Sequence, residues 1–177
     1  MNKLLILVDC QNDFLEGSLA IQDTVLTSSA IFAICDKIKD WDGDIIVTQD
    51  THYDATYEDT LEGKSIPTKH CIKNSWGWSI NPYIHQALSL SNRKYQTVQK
   101  QSFGSISLSN HIINNKYKGI EICGFCTDIC VISNALILRS YFPNLPIIVD
   151  SNCCAGTSSK MHEAALQIMQ KNCITVT

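Results

Sequence analysis

The sequence predicts an α/β fold: three layers, α-β-α, with a central, mostly parallel six-stranded sheet. Three observations lead there. Six short apolar runs, several rich in β-branched residues, are spread along the 177 residues. Between them, apolar residues recur three and four apart, the helical period. The first two runs end in an acid and the third in a lysine. Strands that alternate with helices pair in parallel as βαβ units, and the helices cover the sheet.

The elements follow in order. "KLLILVD" (3–9) is the first strand. A helix spans about 25–39, where Ile31, Ile34, Cys35 and Ile38 fall on one stripe. "DIIVTQD" (44–50) repeats the first pattern and "YQTVQK" (95–100) is the third strand. "GIEICGF" (119–125), "LPIIVDS" (145–151) and "CITVT" (173–177) complete the set. Residues 127–142 read as a helix through Ile129, Ile132 and Leu136. Residues 158–172 read as another, with a serine available as its N-cap. Residues 51–80 are polar, rich in His, Trp and Thr, and lack a period. A long irregular segment inside a domain is commonly a functional loop.

Composition narrows the function. Hydrophobic residues make up 45% and charged residues 18%, the balance of a globular chain, read as one domain over 1–177. The net charge is −3 with no basic block, which argues against nucleic-acid or membrane partners. Leu4–Val8 is too short for a signal peptide or a span, so the expected location is cytoplasmic. Nine cysteines, an odd count without a leader, read as free thiols in a reducing compartment, several of them small buried hydrophobes.

In open parallel sheets, ligands bind beyond the carboxyl ends of the strands. The residues there are Asp9, Asp50 with His52 behind it, Lys100, and "CGFCTDIC" (123–130). A carboxylate, an amine and a thiol thus converge from distant segments. Thr127 is a natural N-cap, which puts Cys130 in the first helical turn. The helix dipole and a nearby lysine would lower its thiol pKa and make it the reactive cysteine. Cys123 and Cys126 have redox-pair spacing, but the first lies inside a strand rather than at a helix start. A structural zinc site would need a second ligand cluster, and none is evident.

Five stretches carry a resemblance: "LLILVDCQNDF" (4–14), "TQDTH" (48–52), "PTKHC" (67–71), "VQKQSF" (98–103) and "GFCTDICV" (124–131). In this order they resemble the nicotinamidase and isochorismatase-like cysteine hydrolases. The resemblance implies that family's fold and a catalytic triad of Asp9, Lys100 and Cys130. It implies an oxyanion hole from the backbone N–H groups of Cys126 and Cys130, beside a non-proline cis peptide at Phe125–Cys126. It further implies a divalent metal, zinc first, with manganese or iron as alternatives, on Asp50, His52 and His70. In similar nicotinamidases such a metal holds the substrate's pyridine nitrogen.

The sequence also departs from the family pattern. A second histidine common after the Asp-x-His pair is replaced by "YDATYED" (53–59). Glu62 is a candidate replacement ligand, with Glu58 the weaker candidate on the same segment. The tryptophan that often precedes the proline of the Pro-His stretch is Ile66 here. Phe14 and Phe125 are the expected pocket walls, and Trp76 and Trp78 either join them or pack the loop. The resemblance therefore implies hydrolysis of nicotinamide to nicotinate and ammonia. Two alternatives stay open: another small amide or carbamoyl compound as substrate, or an idle scaffold of the same fold. The expected partner is a small-molecule amide, with homo-oligomerisation left open.

Overall fold

The run at Lys3–Val8 (β1) is buried at every position from Leu4 to Val8. Such a run suits a central strand of a parallel sheet, which is covered on both faces. The other strands are Asp44–Asp50 (β2), Tyr95–Lys100 (β3), Gly119–Phe125 (β4), Ile147–Ala155 (β5) and Thr175–Val176 (β6). In this computed structural model, which describes residues 3–91, 93–113, 115 and 117–177, they form one sheet in the order β3-β2-β1-β4-β5-β6. Every neighbouring pair is parallel, so the sheet is wholly rather than mostly so.

The helices are Asn12–Leu15 (α1), Thr24–Asp40 (α2), Leu61–Ser65 (α3), Pro82–Leu90 (α4), Ile106–Ile113 (α5), Ile132–Tyr141 (α6) and Ser159–Lys171 (α7). Local chemistry sets their starts. Asp23 accepts from the Leu26 N–H at 2.9 Å, and Asn81 caps α4 with Pro82 directly behind it. Ser158 caps α7, as the sequence suggests. α2 packs on α4 and β5, while α6 packs on α5 and α7. No helix among the described residues is long and apolar enough to cross a membrane.

Three elements differ from the sequence reading. The helix expected over 127–142 is two pieces, a widened turn at Thr127–Val131 followed by α6. Thr127 is not its cap: Cys126 occupies that position, and the Thr127 hydroxyl lies 2.8 Å from His162 Nδ1 on α7. β5 runs four residues past the expected end, to Ala155, because its pairing with β4 breaks register between Ile122 and Gly124. The segment 51–80 holds α3, a short turn at Tyr57–Asp59 and two isolated bridges, His52 to Ile72 and Gln11 to Ile80. Its organiser is Tyr57, fully buried, whose hydroxyl donates to the Ile66 carbonyl at 2.7 Å.

Candidate active site

Register brings the first groups together. Asp50 and Lys100 are paired positions on adjacent strands, so their side chains leave the same face of the sheet. Asp9 follows β1 directly in the left-handed region (φ 48°). The Lys100 ammonium lies 2.6 Å from Asp9 Oδ2, 3.4 Å from Asp50 Oδ1 and 3.6 Å from Cys130 Sγ. It also donates to the Ser102 carbonyl at 3.0 Å. All four side chains are buried. The sequence reading gave Thr48 no role, yet its hydroxyl donates to Asp9 Oδ1 at 2.6 Å and accepts the Asp9 N–H at 3.1 Å. The signal was present: Thr48 stands two residues before Asp50, on the same strand face.

Burial governs the charges here. Alone it would lower the Lys100 pKa, but Asp9, Cys130 and Asp50 outweigh it and hold the ammonium charged. For Asp9, desolvation outweighs the nearby lysine and raises the carboxyl. The Cys130 thiol is pushed well above its ordinary range by burial and by the Asp9 charge, against the lowering effect of Lys100. The expected drop in the Cys130 pKa is therefore corrected. A helix-end dipole contributes about 0.3–1 kcal/mol at exposed sites. Burial can move a group by up to about 3–5 pKa units, so it sets the sign. The resting sulfur is a thiol, and it accepts from the Lys100 ammonium at 3.6 Å.

A second cluster adjoins the first. Asp50, His52, Glu62 and His70 each offer a ligand atom, and these all lie within 4.8 Å of one another. His52 Nε2 is 2.9 Å from Asp50 Oδ2 and 3.5 Å from Glu62 Oε1. His70 Nε2 is 3.5 Å from Asp50 Oδ2 and 3.3 Å from Glu62 Oε1. His70 Nδ1 stands 3.0 Å from the Thr68 carbonyl. A proton on Nδ1 donated to that carbonyl leaves Nε2 bare and fixes the ring.

These residues fit a divalent cation. Glu62 Oε1 is buried and has no hydrogen-bond partner among the described residues. With only protons available, burial disfavours the imidazolium forms. The adjacent Asp50 and Glu62 carboxylates nevertheless outweigh it and push both histidines up to about 9. The same contacts hold Asp50 far below the usual carboxylate range despite its burial. Two carboxylates thus draw positive charge into the space between the rings, and a single divalent ion would supply it. Two imidazoles with two carboxylates suit zinc, manganese or iron. Glu58 is not part of this group; it is exposed and pairs with Lys69 at 3.4 Å. Asp50 joins the two clusters, with Oδ1 toward Lys100 and Oδ2 toward the histidines. The Gln11 amide holds it there, donating to the Asp50 carbonyl at 2.8 Å and accepting its N–H at 2.7 Å.

Between the clusters lies a cavity of about 30 Å³, room for one or two waters. Phe14, Leu19, Ile66, Phe103 and Ile129 form apolar walls around Cys126, Cys130, Glu62 and His70. Phe125, expected in this wall, is instead fully buried in the core and is absent from the lining. Phe125 is the last residue of β4, and its side chain packs into the hydrophobic core rather than toward the cavity. Phe103 and Glu62 also border a second cleft of about 460 Å³ that contains Tyr53 and Tyr57. Trp76 and Trp78 line neither; they border another cleft with Asn12, His85 and Tyr95. The Phe125–Cys126 peptide is cis. The Cys126 carbonyl accepts from Ile129 and from Val131, both at 3.1 Å, which closes the widened turn around Cys130.

Comparison with known proteins gives a consistent picture. The family model described as "Isochorismatase domain" matches residues 3–177. The chain is 24% identical over 194 residues to a nicotinamidase of Escherichia coli (strain K12), covering 95% of this chain and 90% of that one. Its fold is similar to a pyrazinamidase/nicotinamidase of Streptococcus mutans UA159, with a TM-score of 0.83 at 22% identity, covering 99% and 100% of the two chains. It is also similar to a pyrazinamidase of Pyrococcus horikoshii in complex with zinc, with a TM-score of 0.76 at 18% identity, covering 100% and 99%.

Proposed function

The chain belongs to the isochorismatase family of hydrolases, and from that premise we propose that it is a cysteine amidohydrolase that converts nicotinamide to nicotinate and ammonia. One observation carries the reading. A single buried lysine touches both Asp9 and the Cys130 sulfur, and Asp50 ties that group to a four-ligand cation site across a small apolar cavity. A scaffold has no need of a desolvated acid and ammonium set against a buried thiol, since buried charges cost stability unless each is paired.

The roles follow from the positions. Asp9 takes the Cys130 proton as the sulfur attacks the amide carbon, and Lys100 balances the negative charge that appears. The carbonyl oxygen becomes an oxyanion against the N–H groups of Cys126 and Cys130. Loss of one such donor typically costs about 10²–10³ in rate. Asp9 then gives its proton to the departing nitrogen, and ammonia leaves a thioester on Cys130. Water, losing a proton to Asp9, cleaves the thioester and frees the carboxylic acid and the thiol.

Asp50, His52, Glu62 and His70 would hold the cation. When bound, it supplies a Lewis-acidic position for the ring nitrogen of the substrate. The raised thiol pKa fits this scheme. The proton leaves only when substrate displaces water and the attack begins, so free enzyme keeps an unreactive sulfur.

Ammonia release from a small panel tests the reading. Nicotinamide and pyrazinamide should be turned over, benzamide (no ring nitrogen) far more slowly, and Cys130→Ala should be inactive on all. Turnover of a carbamoyl amine with none of nicotinamide would reject the nicotinamidase reading and keep the amidohydrolase.

A further inference from the structure

Seven of the nine cysteines take no part in this chemistry, and five of these sit on or beside the central elements: Cys10 just past β1, Cys35 on α2, Cys123 on β4, and Cys153 and Cys154 on β5. Two of them are neighbours on adjacent strands, Cys123 on β4 and Cys153 on β5. The backbone register brings them together. β4 and β5 pair Ile122 with Val149 and next Gly124 with Cys154, so Cys123 stands opposite the register break and Cys153 is the last residue inside it. Cys126, which has redox-pair spacing to Cys123, lines the catalytic cavity instead.

The surroundings of the pair are built for proton and charge transfer. The Cys153 thiol donates to Asp150 Oδ2 at 3.5 Å. Lys37 Nζ lies 2.7 Å from the same oxygen and also pairs with Glu121. Cys153, Asp150 and Lys37 line an open cleft of about 490 Å³, with Asp36, Asp40 and Asn152. Cys123 is fully buried behind them.

We propose that Cys123 and Cys153 form a peroxide-oxidisable dithiol, in which Cys153 meets the oxidant at the cleft and Cys123 closes a disulfide. In the first step the Cys153 proton passes to Asp150 and the sulfur attacks one peroxide oxygen. The O–O bond breaks, sulfur is oxidised to sulfenic acid, and the departing hydroxide leaves as water with the Asp150 proton. In the second step the Cys123 sulfur attacks the sulfenic sulfur. The S–S bond forms, the S–OH bond breaks, and a second water carries away the Cys123 proton. Two thiols and one hydrogen peroxide thus give one disulfide and two waters. Lys37, held on the same Asp150 oxygen as the Cys153 thiol, offsets the negative charge that passes through this site.

The test treats the full-length protein with dilute hydrogen peroxide, alkylates the remaining thiols and maps linked peptides by mass spectrometry. A Cys123–Cys153 linked peptide that dithiothreitol abolishes is the expected result. In Cys153→Ala the link is lost and Cys123 is recovered alkylated once the protein is unfolded. In Lys37→Met the link should form more slowly by about tenfold, the order expected when thiolate charge goes uncompensated. If Cys153→Ala does not fold, the untreated and treated wild type, with and without dithiothreitol, decide the matter alone. Oxidation confined to Cys130, or a Cys153–Cys154 link in place of Cys123–Cys153, would overturn the proposal.

Discussion

Thr48→Val isolates one polar contact beneath the buried Asp9 carboxyl. Valine keeps the shape of threonine and its place on a central strand, so packing at this fully buried position changes little. Two hydrogen bonds go. Asp9 Oδ1 loses a donor at 2.6 Å, and the Asp9 N–H loses its acceptor at 3.1 Å. A hydrogen bond to a charged group contributes about 1.5–3 kcal/mol, and an orphaned buried donor costs about 1–3 kcal/mol. The sum at neutral pH is about 2.5–6 kcal/mol. For a chain of this length that is a fall of roughly 5–20 °C in melting temperature.

The pH dependence carries the test. The Asp9 pKa is already raised by burial, and the Thr48 bond is one of the contacts that hold it down. A carboxyl with a raised folded pKa contributes stability that is complete below its unfolded value and is lost as pH rises through the folded value. Loss of the Thr48 bond raises the folded pKa further, by about one to two units for the same 1.5–3 kcal/mol. The stability gap between variant and wild type therefore widens with rising pH and narrows where Asp9 is protonated in both. The acid limb of kcat/KM should move to higher pH by the same one to two units. Urea melts at a series of pH values, with pH–rate profiles on the same protein, measure both. A gap constant across pH with an unmoved acid limb would mean that Thr48 is packing alone and that Asp9 is held by something else.

Three further perturbations have distinct signatures. Lys100→Met leaves Asp9 and Asp50 buried without their common cation; breaking a buried pair costs about 3–5 kcal/mol, so thermal melts should fall sharply along with turnover. Glu62→Gln keeps the shape but removes a ligand charge. Elemental analysis after dialysis should show metal bound more than tenfold more weakly than in the wild type, and equal metal content would remove Glu62 from the site. Gly124→Ala should not yield folded protein, because Gly124 has φ +129° and an added Cβ would sit 2.1 Å from the Val8 carbonyl oxygen; normal soluble expression with a native melt would contradict the close β1–β4 approach.

The candidate site groups were legible because their placement is a property of strands. A strand that ends in Asp, Lys or Cys delivers that side chain to the carboxyl edge of a parallel sheet whatever the strand order. Asp9, Asp50 and Lys100 could therefore be named together before their spacing was known. The strand order itself was not readable. β1, β2 and β4 are all short apolar runs, and nothing local distinguishes a central strand from its neighbour. The register pairing Asp50 with Lys100 was likewise hidden, although it decides that one carboxylate serves both clusters. The polar segment 51–80 announced function through His52 and His70. Its folding around Tyr57 was invisible, because a lone buried tyrosine leaves no periodic trace.

The Cys130 pKa marks where local reasoning fails outright. Position in a helix and a lysine on a neighbouring strand can be guessed from sequence, and both lower a thiol pKa. Desolvation depends on every wall of the cavity at once, from Phe14 to Ile129, and it acts with the opposite sign and greater weight. The consequence is functional. A cysteine activated by its helix alone would be reactive at all times. A cysteine whose proton is held beside a buried carboxylate reacts when a substrate carbonyl arrives to accept the charge. Under the proposed function, selectivity for the bound amide over free electrophiles comes from the same burial that made the residue's chemistry unreadable in the chain.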